Sequence, residues 1–306
     1  MSNAAPAPRA GGIDSIFRTA DVVGDAWSWL VLREAILYRV SRFDEFQDRL
    51  ALARSTLSAR LTQLTAAGLL TREAGGEYML TECGDDFLGC LMVAKRWGDH
   101  WHFAPDAPPQ PTMHVACDNR LNAVLRCEAC NQVLAARDVT ANRADTIARP
   151  RRRTDTRKRR SPDLELLERN RTCSIARTLR VTGDWWSGLI IRECFFGTRR
   201  FDDFRRRLDI APNILSGRLR RLVELDVLTK VQYETWPVRH EYRLTEKGLD
   251  YYHVPLAMLT WGQRWLASDA DAHLVHEACG RALRAAVACA SCGDGFSRND
   301  IALTGG

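Results

Sequence analysis

The sequence lacks any long hydrophobic run. Its 306 residues contain no apolar stretch of the roughly 18 residues that a transmembrane helix requires. The N-terminal segment MSNAAPAPRAGG also lacks the apolar core of a secretory signal. A glycine-rich phosphate loop, a nucleophile elbow and a metal pattern with a vacant position are missing too, so an enzyme is not expected. We expect a cytoplasmic protein with no membrane partner.

The length and composition predict two globular domains. Hydrophobic residues make up 45% of the chain and charged residues 27%, which is typical of soluble proteins. A chain of 306 residues is long for one domain and sufficient for two. Its ten cysteines, in a chain without an export signal, favour thiols and metal sites over a disulfide framework.

The positive charge is concentrated in one segment. The net charge is +6, and residues 143–163 alone contain nine basic and three acidic residues. Because this segment repels itself and has no apolar periodicity, residues 141–165 are predicted to form a disordered linker. The linker either separates two domains or neutralises nucleic-acid phosphates without reading sequence.

The chain contains an internal repeat of about half its length. The stretch TLSARLTQLTAAGLLTR at residues 56–72 returns as ILSGRLRRLVELDVLTK at residues 214–230. Further pairs follow in the same order: GDAW and GDWW, RFDEF and RFDDF, LTE and LTE. Such self-similarity indicates a duplicated structural unit.

Each unit has the pattern of a winged helix-turn-helix. A largely apolar helix and a short amphipathic helix precede a helix in which Leu57, Leu61 and Leu64 form one stripe. Two β-prone runs around Gly75 and Gly76 then predict a hairpin, or wing, which is six residues longer in the second unit. The fold class is therefore mainly α with small β-hairpins (α+β).

The third helix and the wing of each unit supply the candidate DNA-binding residues. In this architecture the second helix of the helix-turn-helix enters the major groove and the hairpin lies beside it. Hydroxyl and amide side chains at the helix start could cap the helix or contact base edges, and the arginines could contact phosphates. The candidates are Ser55, Thr56, Ser58, Arg60, Arg72, Asn213, Ser216, Arg218, Arg221, Lys230 and Arg239.

These motifs resemble the HxlR-type winged helix-turn-helix regulators. The resemblance is carried by the Gly-x-Trp opening, Arg-Phe-x-x-Phe, Leu-Ser-x-Arg-Leu and Tyr-x-Leu-Thr-x-x-Gly, and it is strongest in the second unit. It implies a bacterial transcriptional regulator that binds double-stranded DNA at near-palindromic operators as a dimer, with its first and last helices in the dimer contact. A tandem chain could pair its own halves as a pseudo-dimer or form a homodimer.

The resemblance also implies a candidate redox sensor. Some members of the family sense oxidants through a cysteine just before the first helix, and Cys173 stands at that position. The matching residue in the first unit is Asp14, so only one unit could sense in this way. The alternative is that Cys173 is a small buried residue. Cys83, Cys90 and Cys194 have no repeated partner and are interpreted as packing or surface residues.

A cysteine pattern follows each unit. The spacing His-x2-Cys-x9-Cys-x2-Cys occurs at His114, Cys117, Cys127 and Cys130, and again at His276, Cys279, Cys289 and Cys292. Four such ligands in two close pairs suit tetrahedral zinc, which predicts one closed structural site in each copy. A redox dithiol or a metal-free cysteine-rich element is the alternative.

The predicted organisation has five parts: winged helix-turn-helix units at residues 13–104 and 166–268, zinc-knuckle-like elements at 112–140 and 273–303, and the linker at 141–165. We expect a sequence-specific transcriptional regulator that reads DNA with two recognition helices and wings. A redox- or metal-responsive sensor, and a protein-interaction scaffold with a degenerate DNA-binding domain, are the alternatives.

Overall fold

The computed structural model describes residues 15–105, 107–141, 162–182, 184–266 and 274–304. Most of the predicted linker lies outside these residues. The elements of the first half are α1 Ser15–Val23, α2 Ala26–Tyr38, α3 Phe43–Leu50, α4 Arg54–Ala66, β1 Leu70–Arg72, β2 Tyr78–Leu80, α5 Glu82–Asp86, α6 Leu88–His102, β3 Thr112–His114, β4 Asn119–Arg120, β5 Ala123–Cys127 and β6 Val139–Ala141. Those of the second half are α7 Leu164–Leu167, α8 Ser174–Thr182, α9 Trp185–Phe195, α10 Phe201–Leu208, α11 Pro212–Glu224, β7 Leu228–Thr235, β8 Val238–Leu244, α12 Glu246–Asp250, α13 His253–Trp265, β9 Leu274–His276, β10 Arg281–Ala282, β11 Ala285–Cys289 and β12 Ile301–Leu303.

The first half forms a winged helix-turn-helix for local reasons that its sequence shows. Asp25 begins α2 by accepting hydrogen bonds from the backbone N–H groups of Trp27 and Ser28. Helix α3 ends where Ala51 takes a left-handed conformation with φ of 49°. Helix α4 then buries its leucine stripe in the core, and the antiparallel strands β1 and β2 form the wing. This confirms the predicted fold class.

The second half repeats this order with a longer wing. Strands β7 and β8 pair antiparallel over most of their length, with a bulge between Gln232 and Glu234. The hairpin of the first half has strands of only three residues. The two halves therefore share one architecture but project wings of different length.

The two halves pack against each other through their first and last helices. Helix α1 lies against α13, and its counterpart α8, the first helix of the second repeated unit, lies against α6, so the first helix of each unit contacts the last helix of the other half. Matched hydrogen bonds confirm the symmetry: the Thr19 hydroxyl donates to the Met258 carbonyl at 3.0 Å, and the Thr178 hydroxyl donates to the Ala94 carbonyl at 2.7 Å. The described chain thus contains a pseudo-twofold pair of winged helix-turn-helix units.

The cysteine-rich segments are joined across the halves. Strand β5 of the first half pairs with β11 of the second, β3 pairs with β12, and β6 pairs with β9. All three pairings are antiparallel. The two segments therefore form one composite unit instead of two separate knuckles. No helix within the described ranges is long and apolar enough to cross a membrane.

Candidate nucleic-acid interface and metal centres

Helices α4 and α11 each bury one face and expose the other. Their leucine stripes, at Leu57, Leu61 and Leu64 and at Leu215, Leu219 and Leu222, are fully buried. The residues that begin the exposed faces are Ser55, Ser58, Asn213 and Ser216, while Thr56 is half-buried. The N-cap positions are Ala53 and Ala211, so no side chain caps either helix. The predicted polar residues thus lie on open helix faces with no capping role.

Arg60 and Arg218 have partners inside their own units. Arg60 Nε lies 2.9 Å from Asp25 Oδ1, and Arg218 Nε lies 2.8 Å from Asp184 Oδ1. The two arginine side chains are only 17% and 20% exposed, and the carboxylates are the buried N-caps of α2 and α9. Arg60 therefore links α4 to the start of α2, and Arg218 links α11 to the start of α9. Phosphate contact by these two residues stays a prediction.

The remaining basic candidates differ in exposure. Arg72, Lys230 and Arg239 are exposed on the wings, and Arg239 lies 3.3 Å from the Glu234 carboxylate. Arg221 is partly covered: its guanidinium donates to the Arg180 carbonyl, and burial lowers its pKa below the ordinary value. The wing residues are consequently better placed than Arg221 to reach a ligand.

Two exposed residues were missed among the candidates. Trp236 is 89% exposed at the tip of the second wing, and Arg220 is exposed on α11. A tryptophan beside Pro237, between two polar strands, was the available signal for the first. For Arg220, the signal was a basic residue one position after the leucine stripe residue Leu219, which is buried. Both enlarge the candidate interface of the second half.

The eight metal-ligand candidates form two clusters, each drawn from both halves. The first consists of His114 and Cys117 with Cys289 and Cys292, and the second consists of Cys127 and Cys130 with His276 and Cys279. The expectation that each copy holds its own set is therefore wrong. The reason is the β5–β11 pairing, which places Cys127 opposite Ala285 and Cys289 opposite Ala123, beside the ligands of the other half.

The geometry of both clusters fits a tetrahedral metal ion. A Zn–S bond of about 2.3 Å and a Zn–N bond of about 2.0 Å give tetrahedral edges of about 3.8 Å between sulfurs and about 3.5 Å between sulfur and nitrogen. The Sγ atoms of Cys117 and Cys289 are 4.0 Å apart, and those of Cys127 and Cys279 are 3.9 Å apart. His114 Nδ1 lies 3.3 Å from the Cys117 sulfur. Each set of three cysteines and one histidine can therefore hold one metal ion.

The backbone around one cluster favours the thiolate form of Cys289. Burial raises the pKa of Cys289, but hydrogen bonds from the backbone N–H groups of Cys292 and Ser291 outweigh it and lower the value to about 7. A thiolate is the form in which cysteine binds a metal. The turn after β11 therefore prepares this ligand.

Cys173 lies in a buried polar cluster between the halves. The Arg33 guanidinium donates to its sulfur at 2.8 Å and also pairs with Glu34 at 2.6 Å. Burial raises the pKa of Glu34, but Arg33 and Arg171 outweigh it and hold the value below the ordinary range. Cys173 is buried, and its redox role stays a prediction.

The helix-turn-helix order, the hairpin wing and the paired halves define a winged helix-turn-helix protein. The HxlR-like helix-turn-helix family matches residues 22–105 and 181–270, more than half of the chain. The chain belongs to this family. Among similar proteins, an HTH-type transcriptional regulator of Mycobacterium tuberculosis, MT3179, is 38% identical over 130 residues, covering 42% of this chain and 82% of the relative. The Bacillus subtilis HTH-type transcriptional regulator YdeP is 32% identical over 94 residues, covering 30% and 73%.

Two solved structures are also similar to parts of the chain. The chain is 43% identical to a putative transcription factor from Pseudomonas aeruginosa, PA1374, over 40% of this chain and 84% of that one, with a TM-score of 0.32. It is 36% identical to the putative transcription factor PA1607 over 44% of this chain and 94% of that one, with a TM-score of 0.39.

Proposed function

We propose that this protein is a DNA-binding transcriptional regulator in which α4 and α11 enter the major groove of double-stranded DNA. The observation that carries the proposal is the pair of open helix faces, because their leucine stripes are buried and no side chain caps their starts. Exposed serine and asparagine side chains at a helix N-terminus can contact base edges and phosphates. Family membership and relatives described as transcriptional regulators support the same function. A protein that binds double-stranded DNA in this way would act in the cytoplasm.

A charge introduced at the helix starts tests this proposal. Ser58→Glu and Ser216→Glu place a carboxylate where phosphates or base edges would approach, so we expect at least about a tenfold loss of affinity for a selected duplex. Ala66→Glu is the matched control, since it adds the same charge at the far end of α4. The second half already carries Glu224 at the equivalent position. The readout is fluorescence anisotropy in the presence of excess non-specific competitor DNA.

The alternatives give different results in this assay. A scaffold with a degenerate DNA-binding domain would bind without sequence preference, through the basic residues 143–160, and neither glutamate substitution would matter. Equal losses in the Ala66→Glu control would also reject the proposed groove contact. A metal-responsive sensor would lose operator binding when metal is removed, whereas a constitutive regulator would lose it only when the fold is lost.

We further propose that the two clusters hold structural zinc. Their donor sets and edge lengths support zinc, and four protein ligands leave no open coordination position for catalysis. When bound, zinc would supply a rigid link among β3, β5, β9 and β11. Elemental analysis of the purified chain tests this: two zinc ions per chain are expected, and a metal-free folded chain would reject it.

A further inference from the structure

The arrangement of the halves means that one chain already carries two DNA-reading units. Each first helix packs on the last helix of the other half, and each last helix anchors two tryptophans across the boundary. Trp97 Nε1 donates to the Lys247 carbonyl at 3.1 Å, and Trp261 Nε1 donates to the Cys83 carbonyl at 3.1 Å. A second chain is not needed to pair the units. The pair is, however, only pseudo-symmetric, because the halves have different sequences.

The two recognition helices expose different chemistry at matched positions. Ser55 in α4 corresponds to Asn213 in α11, and the half-buried Thr56 corresponds to the exposed Ile214. Asparagine can pair with both edge atoms of adenine, and an apolar side chain can contact a thymine methyl group. A serine hydroxyl distinguishes adenine or thymine from the other bases less strongly than these side chains do. The two helices are therefore built to prefer different base pairs.

A second difference lies nearly two turns further along each helix. Thr62 in α4 corresponds to Arg220 in α11, and both are exposed. Arginine binds guanine bidentately or contacts a phosphate, whereas threonine carries no charge. This position adds to the difference between the two reading faces.

The wings differ in reach and in charge. The first wing carries Glu73 and Glu77 around its short turn, and Arg42 pairs with Glu77 at 3.0 Å. The second wing has strands of eight and seven residues, exposes Lys230 and Arg239, and ends at the exposed Trp236. The strands of the second wing carry three basic and two acidic side chains and reach further along the phosphate backbone than the short first wing, whose turn carries two carboxylates. Contacts beyond the recognition helix are therefore expected to extend further beside the second half than beside the first, where Arg72 is the exposed basic residue of the wing.

From these differences we infer that the operator is asymmetric: one chain binds two unlike half-sites in a fixed orientation, with a flank extended on the side of the second half. The inference rests on the proposed DNA-binding function. It departs from the near-palindromic operators that the resemblance implied, because a palindrome presents identical half-sites to unlike helices. One chain per operator follows from the internal pairing of the halves.

Selection from a random duplex library with the full zinc-loaded chain tests the inference. The expected product is a non-palindromic site bound by one chain, measured by native mass spectrometry, with a footprint that extends further at one end. Enrichment of a palindrome bound by two chains would overturn the asymmetric operator and leave DNA binding intact. If no duplex is enriched, the DNA-binding function itself is rejected together with the inference.

A chain with matched helices provides a second test. Asn213→Ser, Ile214→Thr, Gly217→Ala and Arg220→Thr, made together, give residues 213–220 of α11 the sequence of residues 55–62 of α4. All four positions are exposed, so the fold is expected to persist. This variant should prefer an inverted repeat of the first half-site over the original operator by at least about tenfold. An unchanged preference would overturn the inference. Circular dichroism checks that the variant is folded.

Discussion

The indole Nε1 of Trp101 lies 2.8 Å from a carboxylate oxygen of Asp250, across the boundary between the two halves. The same carboxylate pairs with Arg96 at 2.8 Å. The contact has a pseudo-symmetric counterpart, in which Trp265 Nε1 donates to Asp86 at 2.6 Å. Each last helix is therefore tied to the short helix of the opposite half. The relative placement of the two recognition helices depends on these ties.

Close helix packing at this boundary predicts that a single methyl group will disrupt it. A Cβ atom at Gly98 would lie 2.1 Å from the Ser174 carbonyl oxygen, and one at Gly262 would lie 2.3 Å from Thr19 Oγ1. Gly98→Ala or Gly262→Ala should therefore lower the free energy of unfolding by about 1–3 kcal/mol. Urea unfolding followed by tryptophan fluorescence measures the loss. The control is Gly75→Ala, where no atom lies within 4 Å; a similar loss there would contradict the assignment.

Local patterns in the sequence predicted the winged helix-turn-helix units, because the leucine stripe of α4 and the glycine turn after β1 encode their own conformations. The partition of the metal ligands could not be predicted in the same way. The spacing around Cys117 and Cys127 fits a site within one half as well as a site between halves. The deciding contact, β5 against β11, joins segments far apart in the chain.

A contact between residues far apart in the sequence also explains why the structure gives Arg60 a partner that its motif did not predict. The Leu-Ser-x-Arg-Leu motif placed this arginine beside a buried stripe, and that part was correct. The sequence did not show that Asp25, at the start of another helix, lies 2.9 Å from its Nε atom. Trp236 was missed for a different reason, since its exposure depends on the length of the hairpin that carries it.

The ion pair of Arg218 predicts a loss of stability on its removal. Asp184 is buried, and its other carboxylate contacts are with Ser187. Arg218→Gln removes the guanidinium that pairs directly with this charge, so the free energy of unfolding should fall by about 2 kcal/mol. Ser216→Ala, on the open face of the same helix, should change it by less than about 0.5 kcal/mol. Thermal and urea unfolding compare the two variants, and equal stabilities would show that the ion pair contributes little.

Acid should destabilise the protein through buried histidines. Burial lowers the pKa of His253 to about 4, with Arg96 lowering it further and Asp250 opposing. The unfolded chain takes up a proton near the ordinary pKa of about 6.5, whereas the folded protein does not do so until about pH 4. Stability is therefore greatest above pH 6.5 and falls between pH 6.5 and 4, by up to about 3 kcal/mol for this group.

The variant His253→Phe isolates that contribution. It removes the titrating group, so the stability difference between variant and parent should change with pH in the interval from 6.5 to 4. His102, whose pKa is also lowered to about 4 by burial and Lys247, titrates in both proteins and cancels in this difference. Urea unfolding at intervals of half a pH unit measures it. Parallel curves for the two proteins would contradict the role of His253.

The division of the metal ligands between halves predicts how pairs of cysteine substitutions change zinc content. Cys117 and Cys292 belong to one cluster although they come from different halves, so Cys117→Ser with Cys292→Ser should remove one of two zinc ions. Cys117 and Cys127 belong to different clusters although they come from the same half. Replacing these two with serine should therefore remove both ions, because each site loses a thiolate ligand.

Sites confined to one half would give the reverse outcome, with two ions lost from the first pair of substitutions and one from the second. Cys83→Ser is the control, because Cys83 lies outside both clusters, and its zinc content should equal that of the parent. Elemental analysis of each protein after gel filtration gives the metal content per chain. Because each ion joins strands of both halves, the double substitution at Cys117 and Cys127 should also lower the unfolding temperature more than the one at Cys117 and Cys292.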